Sequence, residues 1–205
     1  MALETDTRTQ LLEATMDAIS LGGESSVRVG AIAAAAGVRE PSVYHFFKNR
    51  EALVEAAHIE RYRRSFIEYL KPFEVVAHLA ETQADFERGI RKILAMIYGA
   101  ERAEVRSVRM SVMGAAQSNP SIAVAVSAIN HEVAASLAEV VTFSQEKGWF
   151  TKDLDALAVA YWVLGQIQGR VMSEMDPAKV DLDAWDKVSI EAVVAILKFS
   201  GPEVS

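Results

Sequence analysis

The chain has no cysteine in 205 residues. That single absence excludes disulfide scaffolds, cysteine-based zinc sites, iron–sulfur clusters and cysteine nucleophiles. Proline is limited to five and glycine to eleven, too few for a low-complexity or collagen-like chain. There is no alternating, strand-like run, no G-x-S-x-G nucleophile turn and no glycine-rich phosphate loop. Positive charge is also in deficit. Against 28 acidic residues there are 21 Lys and Arg, a net charge of −7, which argues against indiscriminate coating of nucleic acid. Residues 1–70 hold 8 basic and 10 acidic side chains, net −2, so any DNA recognition there must rest on local arrangement.

Long hydrophobic runs are scarce as well. The longest stretch without Asp, Glu, Lys or Arg, Met110 to His131, is broken by Gln117-Ser118-Asn119-Pro120. The run from Ala156 to Gly169 is shorter than the ~20 residues a membrane span needs. The N-terminal MALETDTRTQ is acidic and polar and has no signal-peptide pattern. These features predict a cytoplasmic protein with no membrane partner. With 51% apolar and 24% charged residues, the chain is able to bury a core.

What is present is helical spacing almost throughout, which predicts an all-α fold of about nine helices. A first helix is expected from near Thr7, where Thr7 and Gln10 form a capping box, to Gly22-Gly23. Short helices are expected over Val29–Ala36, ended by Gly37, and over Glu40–Phe47, with Pro41 in the first turn. Asn49 reads as the N-cap of a long helix reaching Lys71, with Pro72 just beyond. Further helices are expected at Thr82–Gly99, Ala103–Gln117, Pro120–Lys147, Asp153–Met175 and Asp181–Phe199.

Residues 29–47 thus read as helix, glycine turn, helix, the arrangement of a helix-turn-helix. Its second helix must enter a major groove ~12 Å wide while the first braces it. Ala33 and Ala36 are small enough for two helices to cross closely, and Val38 and Val43 are placed to fill the gap.

The full stretch TRTQLLEATMDAISLGG followed by VGAIAAAAGVREPSVYHFFKNREAL resembles the TetR family of transcriptional regulators. The residues in register are Ile32-Ala33, Ala36-Gly37-Val38, Pro41-Ser42-Val43-Tyr44, Phe47, Asn49, Glu51 and Leu53. The resemblance covers about the first 55 residues by motif; the remaining 150 match in length and helical layout. It implies a helix-turn-helix DNA-binding domain over 1–50 and an effector-binding and dimerisation domain over 51–205. It also implies that Ser42, Tyr44 and His45 reach the DNA from the recognition helix, with Pro41 offered to a thymine methyl and Glu40 facing a base. Lys48 and Arg50 would clamp phosphates, and Arg28 and Arg39 would touch the backbone. The sequence departs from the family pattern at Arg28 and Arg39, where Ser or Thr is usual as an N-cap. It departs again at Phe46, where His or Tyr is common, and at Arg50, where Lys is common. Phe47 reads as a core aromatic.

For the C-terminal part the resemblance implies a homodimer through the last two helices. Gly165, Gly169 and Ala158 would let a partner helix approach closely. It also implies an effector pocket among helices four to eight, for a small apolar or amphipathic molecule. Candidate lining residues are Tyr62, Phe66, Ile93, Ile97, Met110, Met113, Ile129, Val133, Trp162 and Gln166. Arg109, Asn130 and His131 are possible polar anchors; Arg106 and Arg109 read equally well as a solvated helix face. The function implied is a repressor released from a palindromic double-stranded DNA operator when the effector tilts the fourth helix. The alternative is a helical binding protein of the same fold without specific DNA binding.

No catalytic residue, metal site or cofactor is expected. A di-iron bundle requires two E-x-x-H motifs, and only Glu55-x-x-His58 fits. A pair at that spacing reads as a surface hydrogen bond.

Overall fold

Cap chemistry and apolar periodicity partition the chain into helices much as the sequence predicts. The structure is a computed structural model that describes residues 2–198, with side chains described except at 2–6, 67–70 and 198. Among the described residues there are nine α-helices and no strand. They are α1 (Ala2–Gly22), α2 (Val29–Ala35), α3 (Glu40–Phe46), α4 (Arg50–Leu79), α5 (Gln83–Tyr98), α6 (Ala103–Ala116), α7 (Pro120–Glu146), α8 (Ala156–Glu174) and α9 (Leu182–Lys198). Short 3-10 turns lie at Glu24–Ser26 and Ala100–Arg102. Phe199, the expected end of α9, lies outside the described residues.

Several boundaries follow from identifiable caps. Asn49 Oδ1 accepts from Ala52 N at 2.8 Å, and Asn119 Oδ1 accepts from Ser121 N and Ile122 N. Thr82 and Asp85 form a reciprocal capping box at α5. Gly37 takes φ 69° after α2, a conformation that a side chain disfavours. It lets Val38 N reach Ala33 O at 2.9 Å, closing the helix end.

Three boundaries differ from expectation. α1 begins at Ala2, so Thr7 and Gln10 lie inside the helix and do not cap it; Ala2, Leu3 and Glu4 are strong helix formers. α4 runs through Pro72 to Leu79. Pro72 removes one backbone donor, but Phe73 and Ala77, one turn apart and both buried, continue the apolar stripe and outweigh the loss. α8 begins at Ala156, because Asp155, rather than Asp153, caps it by accepting from Ala158 N at 2.8 Å.

The fold divides into two compact units, Met1–Arg64 with Val112–Val126, and Ser65–Ser111 with Ser127–Ser205. The first is organised around Leu11, Leu12, Met16 and Ile19 of α1, with Ile32, Ala33, Val43, Phe47 and Leu53 packed against them. His58 is also buried in this unit, only 2% exposed, with Nε2 2.8 Å from Glu24 Oε1. Glu55 accepts from Asn119 Nδ2 at 2.7 Å. The Glu55-x-x-His58 pair is therefore not a surface hydrogen bond: each member bonds a residue from another segment.

The second unit is built around Phe73, Phe86, Ile90, Leu94, Ile97, Leu137, Ala160 and Val193. Helix α7 is long and apolar enough to cross a membrane by length and composition alone. Its buried positions, among them Ile122, Val126, Ile129, Val133, Leu137 and Val140, recur every three or four residues, the pattern of a helix with one face on a protein core.

Arg106 and Arg109 are both buried, which corrects the reading of a solvated face. Arg106, with no exposed surface, donates from Nη1 to Ile97 O, from Nη2 to Gly99 O, and from Nε to both Glu174 carboxylate oxygens at 3.2 Å. Glu174 also accepts from Arg170, whose Nε donates to Asp186 Oδ1 at 2.5 Å and Nη2 to Asp186 Oδ2 at 3.0 Å. This network ties the end of α5 and α6 to α8 and α9. Burial pushes the Glu174 carboxyl up, but the hydrogen bonds and charges of Arg106 and Arg170 outweigh it and hold it below the ordinary carboxylate value.

Two outcomes follow from the network. Arg106→Ala leaves Glu174 without its main partner and is expected to cost about 3–5 kcal/mol, read as a lower urea midpoint at unchanged slope. Because the folded pKa of Glu174 is depressed, its contribution is complete above about pH 4.5 and is lost as pH falls through the folded value. Glu174→Gln should therefore be less stable at neutral pH and show a flatter acid limb in thermal unfolding against pH.

Candidate nucleic-acid interface and ligand cavities

A helix seven residues long has room to bury one narrow stripe, and α3 buries the stripe through Val43, with Phe47 at its C-cap. Val43 is 1% and Phe47 4% exposed, and both sit in the core formed with α1 and α2. This bears out the reading of Phe47 as a core aromatic. Anchored there, α3 turns its remaining surface outward. Glu40, Pro41, Tyr44 and His45 are exposed and Ser42 is half-buried. Tyr44 keeps 50% of its surface free, which is unusual for a large aromatic on so short a helix. Phe46 is half-buried and meets the His45 ring edge-on at 5.1 Å.

The charged residues around α3 divide into two sets. Arg39 and Lys48 are exposed just before and just after the helix. Arg28 is exposed but donates from Nη1 to Ser25 O at 2.6 Å. Neither Arg28 nor Arg39 makes a side-chain cap bond at its N-cap position, as expected where Arg replaces Ser or Thr. Arg50 is used differently. Its Nε donates to Val27 O at 2.9 Å and its Nη2 to Glu24 O, so it braces the start of α4 against the 3-10 turn. The Glu40 carboxylate is folded over Gly30, where an added Cβ would meet its Oε2 at 3.0 Å.

One charged residue near this surface escaped the sequence reading. Arg8 on α1 is exposed, with its guanidinium 5.4 Å from the centre of the Phe47 ring. No local pattern marks it, because the contact joins residues almost forty positions apart.

Two of the cavities in the second unit bear on the expected pocket residues. The larger, about 40 Å³, lies among α4, α5, α7, α8 and α9. Of the residues expected to line an effector pocket, Trp162 borders it; Phe73, Phe86, Leu94, Val159 and Val193 complete much of the wall. This cavity has α9 in its wall, whereas the smaller one is bounded by α4 to α8. The smaller cavity brings together Phe66, Ile97, Val133 and Arg109. Arg109 donates from Nε to Ser65 Oγ at 3.0 Å and from Nη2 to Ser65 O, with its guanidinium 3.9 Å from the Phe66 ring centre. Ile93, Ile129 and Tyr62 are buried packing residues. Met110, Met113, Asn130 and Gln166 are half-buried and His131 is exposed; none of these lines either cavity.

Comparisons with known proteins agree with this geometry. Residues 11–57 match the family model for bacterial regulatory proteins, tetR family. The chain is 22% identical over 169 residues to the HTH-type transcriptional regulator UidR of Escherichia coli K12, covering 79% of this chain and 82% of UidR. Its fold is similar to that of GusR from Salmonella enterica, with a TM-score of 0.69, 22% identity and coverage of 94% and 95% of the two chains. It is also similar to the transcriptional regulator FadR from Bacillus subtilis in complex with stearoyl-CoA, with a TM-score of 0.62, 21% identity and coverage of 92% and 98%.

The contrast between buried and exposed aromatics gives a direct test. Phe47→Ala is expected to destabilise the first unit by about 3–5 kcal/mol. Tyr44→Ala should change stability by less than about 1 kcal/mol and act on DNA affinity alone. Urea unfolding of both variants beside a DNA titration checks the pair.

Proposed function

Because the chain belongs to the tetR family of bacterial regulatory proteins and is a transcriptional regulator with a helix-turn-helix DNA-binding head, we propose that it is a ligand-released repressor of a palindromic operator. The observation that carries this reading is the division of labour on α3. Val43 and the adjoining Phe47 hold the helix down, and Glu40, Pro41, Tyr44 and His45 face outward. Side chains in that position read base edges, while Arg28, Arg39 and Lys48 supply backbone contacts that fix the register. Arg50 supports the site by bracing α4, and it reaches phosphate only by giving up those carbonyl contacts. The protein works in the cytoplasm, where its operator lies.

A palindrome is read by two heads related by a two-fold axis. The partner surface we assign is the open face of α8 and α9. Ala158, Tyr161, Gly165 and Met172 are exposed on α8, and Val188 on α9. Met172 is 75% exposed, and a Cβ added at Gly165 meets nothing within 4 Å. These residues recur at helical spacing and form an apolar stripe suited to close packing of a second copy. The FadR structure in complex with stearoyl-CoA supports a small-molecule effector here. We assign effector binding to the second unit, where it shifts the population toward a dimer whose two recognition helices no longer match successive major grooves.

Selection of bound duplexes from a random pool at near-physiological salt tests the DNA reading. One enriched palindrome is expected, lost with Tyr44→Ala. Lys48→Ala should weaken all sequences alike and lower the slope of log affinity against log salt by about 0.9 per head. No enrichment from protein refolded free of ligand would overturn the reading. Gly165→Arg should leave the helical circular dichroism unchanged, convert the dimer to monomer in sedimentation equilibrium, and abolish tight operator binding.

A further inference from the structure

The first unit holds a polar cavity of about 230 Å³, built from residues that neither cavity of the second unit uses. It lies between the 3-10 turn after α1, the first turns of α4 and the turn from α6 to α7. Glu51, Glu55 and His58 recur at helical spacing along one face of α4, and Glu24 of the 3-10 turn and Asn119 before α7 close around them. Glu24 and Glu51 are exposed at the rim, whereas Glu55 is half-buried and His58 buried. Three carboxylates against the single guanidinium of Arg50 leave two net negative charges in the wall. Like charges one helical turn apart, as at Glu51 and Glu55, are destabilising, so a cation placed between them is favoured.

The wall is short of free donors. Arg50 donates from Nε to Val27 O and from Nη2 to Glu24 O, and its Nη1 stays 3.9 Å from Glu51 Oε1. Asn119 donates from Nδ2 to Glu55 Oε1 at 2.7 Å, and Ser118 from Oγ to Ala115 O at 3.3 Å. His58 donates too. An ionised carboxylate only accepts, so the 2.8 Å contact with Glu24 Oε1 places the ring proton on Nε2. In the neutral ring Nδ1 is then a lone-pair acceptor. It is the one buried side-chain nitrogen or oxygen without a hydrogen-bond partner among the described residues, in a side chain only 2% exposed. A buried acceptor left in that state calls for a donor.

We propose that this cavity binds a small aliphatic diamine as its dication, with one ammonium group donating to His58 Nδ1 and the other lying between the Glu51 and Glu55 carboxylates. An ammonium carries three donors and no acceptor, the complement of a wall with a surplus of acceptors, and two of them match the two net charges. The methylene linker has Val54 and Ile122, apolar members of the wall, to lie against. The cavity exceeds the ~150 Å³ that holds a benzene ring, so a short diamine fits. A metal ion is the poorer match, because no three His, Asp or Glu side chains among the described residues are grouped as a ligand set. The site is separate from the effector site assigned to the second unit and does not depend on it. A ligand held there joins the 3-10 turn leading into α2 to the turn from α6 to α7, and so stiffens the frame of the first unit.

The test uses the full-length protein with putrescine, butylamine, butanediol and magnesium chloride as probes, at low salt and neutral pH. Binding is followed by calorimetry, by nitrogen NMR of the four histidine side chains and by amide hydrogen exchange. Putrescine is expected to bind saturably, one per chain, and at least about fivefold tighter than butylamine, since one ion contact at 4 Å in water is worth about that factor. Butanediol should not bind, and high salt should weaken putrescine. The Nδ1 signal of His58 should move while those of His45, His78 and His131 stay, and exchange should slow at residues 24–27 and 118–120. Glu51→Gln and Glu55→Gln should each weaken putrescine about fivefold. Glu139→Gln, on an exposed part of α7 outside the cavity, should leave it unchanged, which separates a site from general attraction to an acidic chain. No binding at millimolar putrescine overturns the proposal, as does butylamine binding equally well. Parental affinity in both folded cavity variants, or an unmoved His58 Nδ1 signal at saturation, overturns it too. Displacement of putrescine by an equal concentration of magnesium overturns the organic cation in favour of a metal site.

Discussion

A guanidinium with no exposed surface must have its charge and its donors answered within bonding distance, and Arg106 imposes that condition on the second unit. Its partners are the carbonyls that end α5 and the carboxylate of Glu174 near the end of α8. Through Glu174 the constraint reaches Arg170 and then Asp186 of α9. Apolar packing tolerates small slides of one helix on another, whereas a buried ion network does not, because any slide leaves a charge uncompensated. The register of α8 and α9, on which both their exposed apolar residues and the wall of the larger cavity depend, is set by this network.

In the first unit the corresponding constraint is space. α3 is too short to stand alone, and it is held by Val43 and Phe47 against α1 and α2. The turn before it is closed by Gly37, and the start of α4 is fixed by Arg50 reaching back to the carbonyls of Glu24 and Val27. This arrangement gives the recognition surface its rigidity without using any of the exposed residues on α3. A helix held in this way can change its outward side chains with little effect on the fold.

The larger cavity of the second unit and the one beside Arg109 differ in chemistry. One offers hydrocarbon and an indole edge; the other includes a buried cation stacked on Phe66 and bonded to Ser65. Both have Phe73 and Leu137 in their walls. A change in the position of either side chain is therefore felt in both.

The sequence by itself determined what depends on neighbours a few positions away. The all-helical class follows from periodicity, the helix ends at Asn49, Thr82 and Asn119 from side chains that reach their own backbone, and the glycine turn at Gly37 from the absence of a Cβ. The helix-turn-helix was legible for the same reason, since its small residues, its turn and its buried valine fall within twenty positions. Only the tertiary structure decided matters that depend on distant partners. Pro72 stays inside α4 because Phe73 and Ala77 are packed from outside that helix. His58 meets Glu24 instead of Glu55, Arg8 lies over Phe47, and Arg106 is buried because Glu174, 68 residues away, comes to meet it. The cavity walls belong to the same class. They are formed by five helices whose apolar stripes look alike in sequence, and nothing local distinguishes a residue that packs against a neighbour from one that faces empty space.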